Sequence, residues 1–500
     1  MRVCDLKLFN KMAAMSSERY PKMFLSCFLV LATAFAAPAS DQILSLPGWN
    51  SPLPSPQYSG YLDLPGGNKH IHYWFISSET TSPSTDPVTV WLNGGPGCSS
   101  LDGLVYEHGP FRFDPTDPSK LIRFNYTWAK KSNMLYIEAP VGVGFSYSDD
   151  PKDYNCTDDT TAQDNMHAVE KFYDLFPEYK SNDLYLTGES YAGVYIPTLA
   201  EAIVLADQKG MYTGAKLKGI AVGNGCTGTE IGVCGGERTK YDAQFFAQST
   251  AMLGSELQTK LNTNCDWEKP KVISQLCQAA IDEMTPLLNR INIYNVYGEC
   301  ISGTSSSSSS SSTLSTEIQT DGTLQTQKAP VSHHTPSLNG INGPDACIDS
   351  IEASDWMNQK ILQKAIHVKP IDYRWATCGS VPGWKYTSTR TNLPRDTYPL
   401  LIANMRVIIY NGDWDACVPW TDNHAWTKGM GYKEEDAWHP WMFNNLDSYG
   451  NQVGGYAINY VVENSNFTFL TIRGGRHEVP ETAPKRAFEM FSRLVESKGF

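Results

Sequence analysis

The sequence is short of basic residues. Its 500 residues include 40 lysines and arginines against 53 aspartates and glutamates, which gives a formal net charge of −13 at pH 7. Nucleic acids and anionic membrane surfaces attract positively charged proteins, so a chain this acidic is a poor ligand for either. We therefore expect neither a nucleic acid nor a membrane among its partners.

Long hydrophobic runs are almost absent as well. The one such run, residues 23–37, follows Arg19 and Lys22 and contains the small-residue sequence Ala-Phe-Ala at 34–36. Basic residues, a short apolar run and a small-residue cleavage site are typical of a secretory signal peptide. We predict a signal peptide over residues 1–36, with a signal anchor as the alternative. The mature protein is then secreted, vacuolar or lysosomal.

Cysteine is not scarce. The chain has 12 cysteines, of which Cys4 and Cys27 belong to the predicted signal peptide. In an oxidising compartment many of the others should pair. N-glycosylation sequons at Asn125, Asn155 and Asn466 agree with that compartment, and we predict that these asparagines carry glycans.

Short apolar runs rich in β-branched residues predict buried strands. They are residues 88–92, 134–137, 184–187, 217–222, 406–410 and 467–472. Helical spacing predicts one helix over 162–176, after a cap at Asp158 and Asp159, and a last helix from Pro484. Alternating strands and helices indicate an α/β fold with a mostly parallel central sheet covered on both faces.

No strands are predicted in the middle of the chain, where the sequence instead has helical fragments, turns and six cysteines. We predict an inserted, disulfide-stapled helical cap subdomain over 226–395. It divides the core into a first part at 37–225 and a second part at 396–500. Within the insert, eight serines at 305–312 open a Thr/Ser/Gln-rich stretch. Because this composition cannot bury a core, residues 303–342 are predicted to be a mobile surface loop.

A candidate nucleophile is Ser190, in the sequence Gly-Glu-Ser-Tyr-Ala-Gly at 188–193. A predicted strand enters this segment and a helix-like segment leaves it. A serine on such a turn presents its hydroxyl at the top of the sheet, where the helix N-terminus favours negative charge. The usual pattern is G-x-S-x-G, and Ala192 in place of the second glycine weakens it.

A serine nucleophile in this type of fold is followed along the chain by an acid and then a histidine. His477 comes after the last predicted strand, where a loop can deliver an imidazole to the sheet edge. His424 and His439 lie in irregular sequence and are better suited to packing. The acid should follow the preceding core strand, and the residues alone leave Asp413 and Asp415 open.

A glycine-rich segment, Asn-Gly-Gly-Pro-Gly-Cys-Ser-Ser at 93–100, follows the first predicted strand. Three glycines in four positions let backbone N–H groups approach a substrate oxygen, as an oxyanion hole requires. A plain tight turn is the alternative, although a turn rarely needs so many glycines.

Together these segments resemble the serine carboxypeptidase family of α/β-hydrolases. The motifs that carry the resemblance lie at 93–100, 140–147, 188–193, 411–415 and 475–480. The resemblance implies an α/β-hydrolase fold and a serine-type carboxypeptidase. It implies release of C-terminal amino acids at acidic pH through an acyl-enzyme, without a cofactor or a metal. The expected partners are peptide or protein C-termini, and a homodimer is left open.

The resemblance also implies roles for individual residues. The implied catalytic triad is Ser190, Asp415 and His477, and the implied oxyanion hole is the N–H groups of Gly95 and Tyr191. The residues implied for binding the substrate's terminal carboxylate are Asn93, Gly94, Glu107 and Glu189. Clustered carboxyls resist double ionisation, so at least one tends to hold a proton that it can donate to the substrate.

A disulfide scheme follows from the same resemblance, since spacing alone cannot give connectivity. The implied pairs are Cys98–Cys378, Cys226–Cys234, Cys265–Cys277 and Cys300–Cys347. Cys156 and Cys417 fall outside this scheme. The last pair would enclose the serine-rich loop, in which cleavage into two linked chains is expected by analogy with two-chain relatives.

Other functions remain as alternatives. Some relatives with the same triad are acyltransferases, but they often replace the equivalents of Asn93 and Glu189, both of which stand here. A non-catalytic role as a stabilising partner is a second alternative. A zinc carboxypeptidase would use His167 and Glu170. No convincing third ligand follows them, and a solvated helix face explains the pair more simply.

Overall fold

The structure is a computed structural model that describes residues 37–269, 273–289, 291–299, 350–445, 450–463 and 465–500. The predicted signal peptide, the predicted Cys300–Cys347 pair and the predicted loop at 303–342 lie outside these ranges. None of the helices in the described ranges has the length and hydrophobicity needed to cross a bilayer.

The described residues form sixteen strands and twelve α-helices. In chain order, the strands are β1 (Gln42–Ile43), β2 (Gln57–Asp63), β3 (Lys69–Ile76), β4 (Val88–Leu92), β5 (Phe111–Asp114), β6 (Asp117–Arg123), β7 (Asn133–Ile137), β8 (Tyr147–Ser148), β9 (Asn155–Thr157), β10 (Leu184–Glu189), β11 (Leu217–Gly223), β12 (Lys385–Thr387), β13 (Arg406–Gly412), β14 (Glu434–Asn445), β15 (Gly450–Val462) and β16 (Ser465–Ile472). The helices are α1 (Asp158–Leu175), α2 (Ala192–Gln208), α3 (Arg238–Gln248), α4 (Ser255–Asn264), α5 (Gln275–Leu288), α6 (Ile351–Met357), α7 (Lys360–Ala365), α8 (Leu393–Asp396), α9 (Tyr398–Asn404), α10 (Trp420–Gly429), α11 (Val479–Thr482) and α12 (Pro484–Val495).

One large sheet dominates the described residues, with the strand order β1-β2-β3-β7-β4-β10-β11-β13-β16-β15-β14. Its six middle strands, from β7 to β16, pair in parallel. Antiparallel strands flank them on both sides. The six middle strands are the six that the sequence predicted, so the α/β class is confirmed. The sheet as a whole is mixed, and its parallel part is this central group of strands.

Both faces of this sheet are buried. Along β4, Val88, Val90 and Leu92 pack in one apolar cluster with side chains of α1 and α2. Trp91 belongs to a second cluster that includes the apolar side of α12. Since successive residues of a strand point to opposite faces, the two clusters lie on opposite sides of the sheet, as predicted.

The predicted helix over 162–176 corresponds to α1, but its predicted cap is wrong. The Thr157 hydroxyl accepts a hydrogen bond from the Thr160 N–H at 3.1 Å, and the Thr160 hydroxyl accepts one from the Thr157 N–H at 2.9 Å. Thr157 has an extended backbone, as an N-cap needs, whereas Asp158 and Asp159 already belong to the first helical turn. Their charges still suit the positive end of the helix dipole.

The predicted insert packs in two ways. Its first helices, α3 to α5, form a separate apolar cluster that contains the Cys265–Cys277 disulfide, and Cys226–Cys234 lies just before them. Its later part packs on the sheet instead, because Trp356 and Trp375 join the cluster of Trp91. The Cys98–Cys378 disulfide ties that part to the glycine-rich segment. These three pairs are those implied by the resemblance, and the boundaries of the cap stay a prediction.

Candidate active site

Ser190 lies on the sharp turn between β10 and α2. Its φ of 60° is in the left-handed region, which a serine rarely adopts. The turn leaves no room beside it, since a Cβ at Gly188 would collide with the Leu92 carbonyl, and a Cβ at Gly193 with the backbone of Cys226. The close crossing therefore uses glycines at 188 and 193.

His477 meets one of the two aspartates that the residues alone left open. Its Nδ1 lies 2.8 Å from Asp415 Oδ2, and both side chains are buried. Asp413 accepts a hydrogen bond from the Gly474 N–H at 2.6 Å instead. The His477 N–H donates to the Tyr294 carbonyl at 2.9 Å. Asp415 thus contacts the imidazole, whereas Asp413 fixes the loop that carries it.

The Asp415 carboxylate is surrounded by donors. Its Oδ1 accepts from the Cys417 N–H at 2.7 Å, and its Oδ2 accepts from the Val418 N–H at 3.1 Å. Oδ2 also accepts from the side-chain amide of Asn224 at 2.6 Å. A buried carboxylate needs such donors to remain charged.

Asn224 is a residue of this site that the sequence analysis missed. It is fully buried with a φ of 43°, and its Oδ1 accepts from the Gly412 N–H at 3.0 Å. The sequence feature that could have identified it is its position, since Asn224 is a polar residue directly after the carboxyl end of the buried strand β11. Side chains at that edge of a parallel sheet commonly take part in sites.

The surroundings of His477 favour its charged form. Burial lowers the pKa of His477, but the charge of Asp415 and the hydrogen bond to it outweigh burial, and the pKa is raised overall. An imidazolium formed during proton transfer is therefore stabilised at this position.

The glycine-rich segment lies against the serine turn. A Cβ at Gly94 would lie 2.7 Å from the Ser190 Cβ and would collide with the Tyr191 nitrogen. Within the described ranges, neither the Gly95 N–H nor the Tyr191 N–H has a hydrogen-bond acceptor. Two unpaired amides beside a serine hydroxyl are suited to binding a developing oxyanion.

Asn93 joins two buried glutamates beside this turn. Its amide nitrogen donates to Glu107 Oε1 at 3.3 Å and to Glu189 Oε1 at 3.1 Å. Its carbonyl oxygen accepts from the Trp91 indole at 2.7 Å and from the Gly103 N–H at 3.1 Å, which fixes the orientation of the amide. The second oxygen of each glutamate is buried without a partner among the described residues.

Asp102 adds a third carboxyl to the two glutamates, and oxygens of the three groups lie within 4.8 Å of one another. Burial raises the pKa of Glu107 to about 8, with the charge of Glu478 as a further cause. Burial and the charge of Glu107 raise the pKa of Glu189. Burial and the charge of Glu478 raise that of Asp102. Neutral carboxyls of this kind can donate hydrogen bonds to an incoming anion.

The zinc alternative gains nothing from the structure. His167 Nδ1 lies 3.0 Å from Glu170 Oε2, and Glu170 also accepts from the Thr213 N–H at 3.0 Å. Among the described residues, the three carboxyls of Asp102, Glu107 and Glu189 have the proximity of metal ligands, and the pair on α1 does not. The asparagines of the three sequons, Asn125, Asn155 and Asn466, are exposed, and their glycosylation stays a prediction.

Comparisons with known proteins show which family the chain resembles. The family model described as serine carboxypeptidase matches residues 47–497. Serine carboxypeptidase-like 21 of Arabidopsis thaliana is 36% identical over 94% of this chain and 96% of its own. The lysosomal protective protein of Mus musculus is 36% identical over 93% of this chain and 95% of its own. The crystal structure of Kex1(delta)p, a prohormone-processing carboxypeptidase from Saccharomyces cerevisiae, has a TM-score of 0.62 at 19% identity. It covers 91% of this chain and 95% of its own, a likeness of fold.

Proposed function

The chain belongs to the serine carboxypeptidase family, and we propose that it is a hydrolase that releases amino acids from the C-termini of peptides and proteins. The observation that carries the proposal is the buried cluster of polar side chains beside Ser190, in which Asn93 lies within hydrogen-bond distance of Glu107 and Glu189. An amide and neutral carboxyls can donate hydrogen bonds to a C-terminal carboxylate. A group with that charge occurs at the end of every peptide.

In this mechanism Ser190 attacks the carbonyl of the last peptide bond while His477 takes its proton. Asp415 orients the imidazole and stabilises its charged form. The N–H groups of Gly95 and Tyr191 bind the oxyanion. His477 then protonates the leaving amine, the C-terminal amino acid departs, and water hydrolyses the acyl-enzyme on Ser190.

Substrate binding in this mechanism strengthens toward acidic pH. Glu107 and Glu189 donate hydrogen bonds to the substrate carboxylate only while they hold protons, and they repel it once they ionise. Burial raises the pKa of Glu107 to about 8, which supports a protonated pocket in acidic surroundings. His477 gives kcat the opposite dependence on pH, because a general base must be neutral. Its pKa is raised, so kcat should fall in acid as the imidazole takes up a proton. Together the two groups predict a bell-shaped dependence of kcat/KM on pH.

We place this activity in the secretory pathway, with the vacuole, the lysosome or the outside of the cell as destinations. The predicted signal peptide, the exposed sequon asparagines and the disulfides support an oxidising compartment. A relative named lysosomal protective protein supports the lysosome among these destinations.

The test is the release of C-terminal amino acids from an N-blocked dipeptide at acidic and neutral pH, with wild type and Ser190→Ala compared. We expect release by the wild type and none by the variant. Release that survives the substitution would refute Ser190 as nucleophile. A folded wild type that releases nothing but transfers acyl groups from a glucose ester would make the chain an acyltransferase. Inactivity in both assays would leave the non-catalytic partner.

A further inference from the structure

Residues 377–390, here called the strap, are fixed to the glycine-rich segment that supplies one half of the proposed oxyanion hole. The Ser99 N–H donates to the Thr377 carbonyl at 2.7 Å. The neighbouring Cys98 is joined to Cys378 by a disulfide. One end of the strap is therefore held against the segment by a covalent bond and a backbone hydrogen bond.

A second contact lies closer to the proposed hole itself. The Trp384 ring of the strap packs so closely on Gly97 that a Cβ there would lie 2.9 Å from the indole. The indole N–H of Trp384 donates to the Val141 carbonyl at 3.1 Å, which holds the ring in place. Gly97 is two residues from Gly95, so the strap restrains the backbone on which the first oxyanion donor lies.

The other end of the strap reaches the second half of the proposed hole. The Tyr191 hydroxyl lies 2.5 Å from Ser388 Oγ and donates to Asp158 Oδ1 at 2.9 Å. Tyr191 also contributes the second oxyanion N–H from its backbone. The side chain of this residue is thus tied both to the strap and to the first residue of α1.

Asp158 is the point where these contacts meet. Its Oδ1 also accepts from the Tyr386 hydroxyl at 2.7 Å, and its Oδ2 accepts from the N–H groups of Thr389 at 2.6 Å and Arg390 at 2.7 Å. The side chain is 1% exposed, and Thr157, not Asp158, caps the helix. Four donors from two segments converge on one carboxylate that has no part in capping α1.

We propose that Asp158 is a positioning residue for the oxyanion hole. It anchors the strap and the Tyr191 side chain together, and so sets the separation of the Gly95 and Tyr191 N–H groups. Such donors act only when they lie about 2.7–3.1 Å from the oxyanion, so a small displacement weakens the transition state more than the bound substrate. The inference rests on the proposed function.

Asp158→Ala removes the acceptor for all four donors. We expect kcat to fall about 10- to 100-fold with KM within about twofold of wild type, less than the loss of a whole oxyanion donor. Asp158→Asn keeps an oxygen acceptor and should recover most of kcat. The control is Asp159→Ala. The exposed Asp159 contacts the strap through the Thr389 hydroxyl at 2.9 Å and the Arg390 side chain at 2.8 Å, whereas Asp158 is the residue that also binds the Tyr191 hydroxyl. Asp159→Ala should keep wild-type kcat.

A peptide aldehyde separates positioning from general damage. Its adduct with Ser190 puts an oxygen in the hole, whereas a released amino acid only occupies the carboxylate pocket. Asp158→Ala should weaken aldehyde binding by the same factor as kcat and leave amino acid binding unchanged. Equal weakening of both ligands would overturn the inference.

Labelling of Ser190 by an organophosphate keeps the two proposals distinguishable. A wild type that is neither labelled nor active contradicts the proposed function. A labelled, folded Asp158→Ala protein with wild-type kcat contradicts the inference alone, as does an equal loss in Asp159→Ala. Where Asp158→Ala does not fold, Tyr191→Phe removes the hydroxyl that joins this residue to Asp158 and to Ser388, and a kcat equal to wild type in that variant overturns the inference.

Discussion

Asp415, beside His477, and Glu107, beside Asn93, are two buried carboxyls of the site with very different hydrogen-bond surroundings. Asp415 is 0% exposed and Glu107 is 0% exposed, so burial does not distinguish them. Asp415 accepts hydrogen bonds from His477, from Asn224 and from two backbone N–H groups. Glu107 faces another acid, Glu189, shares one amide with it, and keeps an oxygen without a described partner.

Burial raises the pKa of Glu107, which has few hydrogen-bond donors, and the equally buried Asp415 differs from it in having four donors around its oxygens. At the proposed triad, the donors around Asp415 stabilise a negative charge beside His477. In the proposed carboxylate pocket, the crowding of acidic side chains and the small number of donors favour the protonated forms. Changes at the triad should therefore act on kcat, and changes in the pocket on KM and on its pH dependence.

The largest effect that would sharpen this contrast is expected at the triad. Asp415→Asn leaves the volume but removes the charge, and an amide NH2 facing Nδ1 favours the wrong tautomer of His477, so kcat should fall on the order of 10⁴-fold with KM little changed. Asp413→Asn is the matched control, since its amide oxygen can still accept from Gly474, and kcat should stay within about threefold. Steady-state kinetics compare the two, and equal losses would contradict the assignment of Asp415.

The second effect is on stability. The pKa of Glu107 is raised from 4.5 to about 8, so the folded chain holds a proton that the unfolded chain releases between these values. This contribution is fully present below pH 4.5 and is lost as pH rises through 8, on the order of a few kcal/mol. Urea unfolding across this range should show a falling free energy of unfolding.

Glu189 and Asp102 contribute with the same sign, because burial raises the pKa of each. Glu107→Gln cannot ionise and should flatten the dependence of unfolding free energy on pH. A wild type whose stability rises over the same range would contradict the neutral pocket.

The third effect concerns the donor that the sequence analysis missed. Asn224→Ala removes one hydrogen bond to a charged group, worth about 1.5–3 kcal/mol. We expect kcat to fall about 10- to 100-fold and the pH dependence of kcat to shift, because the Asp415–His477 pair loses a fixed neighbour. Unchanged kcat in a folded variant would make Asn224 a packing residue only.

The central fold was predictable because its strands are buried along their whole length. In β4 and β13 every residue is buried, so continuous apolar runs mark them. The flanking strand β2 mixes buried and exposed positions, and β15 does the same with several glycines and polar residues. Such patterns have no continuous run, and pairing to a neighbour, not composition, makes them strands.

The site was predictable where local sequence carries the constraint. Ser190 lies in a turn that needs small residues, and His477 lies in its expected place in the chain order. The choice between Asp413 and Asp415 depends on which carboxylate meets the imidazole, which the residues alone cannot give. Asp158 was predicted to be a helix cap, since its contacts with residues more than 200 positions away leave no trace in local sequence.

The smallest expected effect lies in the carboxylate pocket. In Glu107→Gln with Glu189→Gln, two neutral amides replace two carboxyls that are neutral in acid, so KM at acidic pH should stay within a few-fold of wild type. In the wild type, KM should rise about tenfold for each pH unit above the pKa of the pair, because the ionised pair repels the substrate carboxylate. The double variant lacks these ionisable groups, so its KM should stay constant at the higher pH values where the KM of the wild type rises.

The double variant should keep the dependence of kcat on pH that His477 causes, because Asp415 and its hydrogen-bond donors are unchanged. Asp415→Asn is the reciprocal control, since its residual activity should keep the wild-type rise of KM with pH. A double variant that keeps this rise would assign it to another group near the site. The rise of KM would then not come from ionisation of Glu107 and Glu189, and the contrast between a charged triad and a neutral pocket would be wrong.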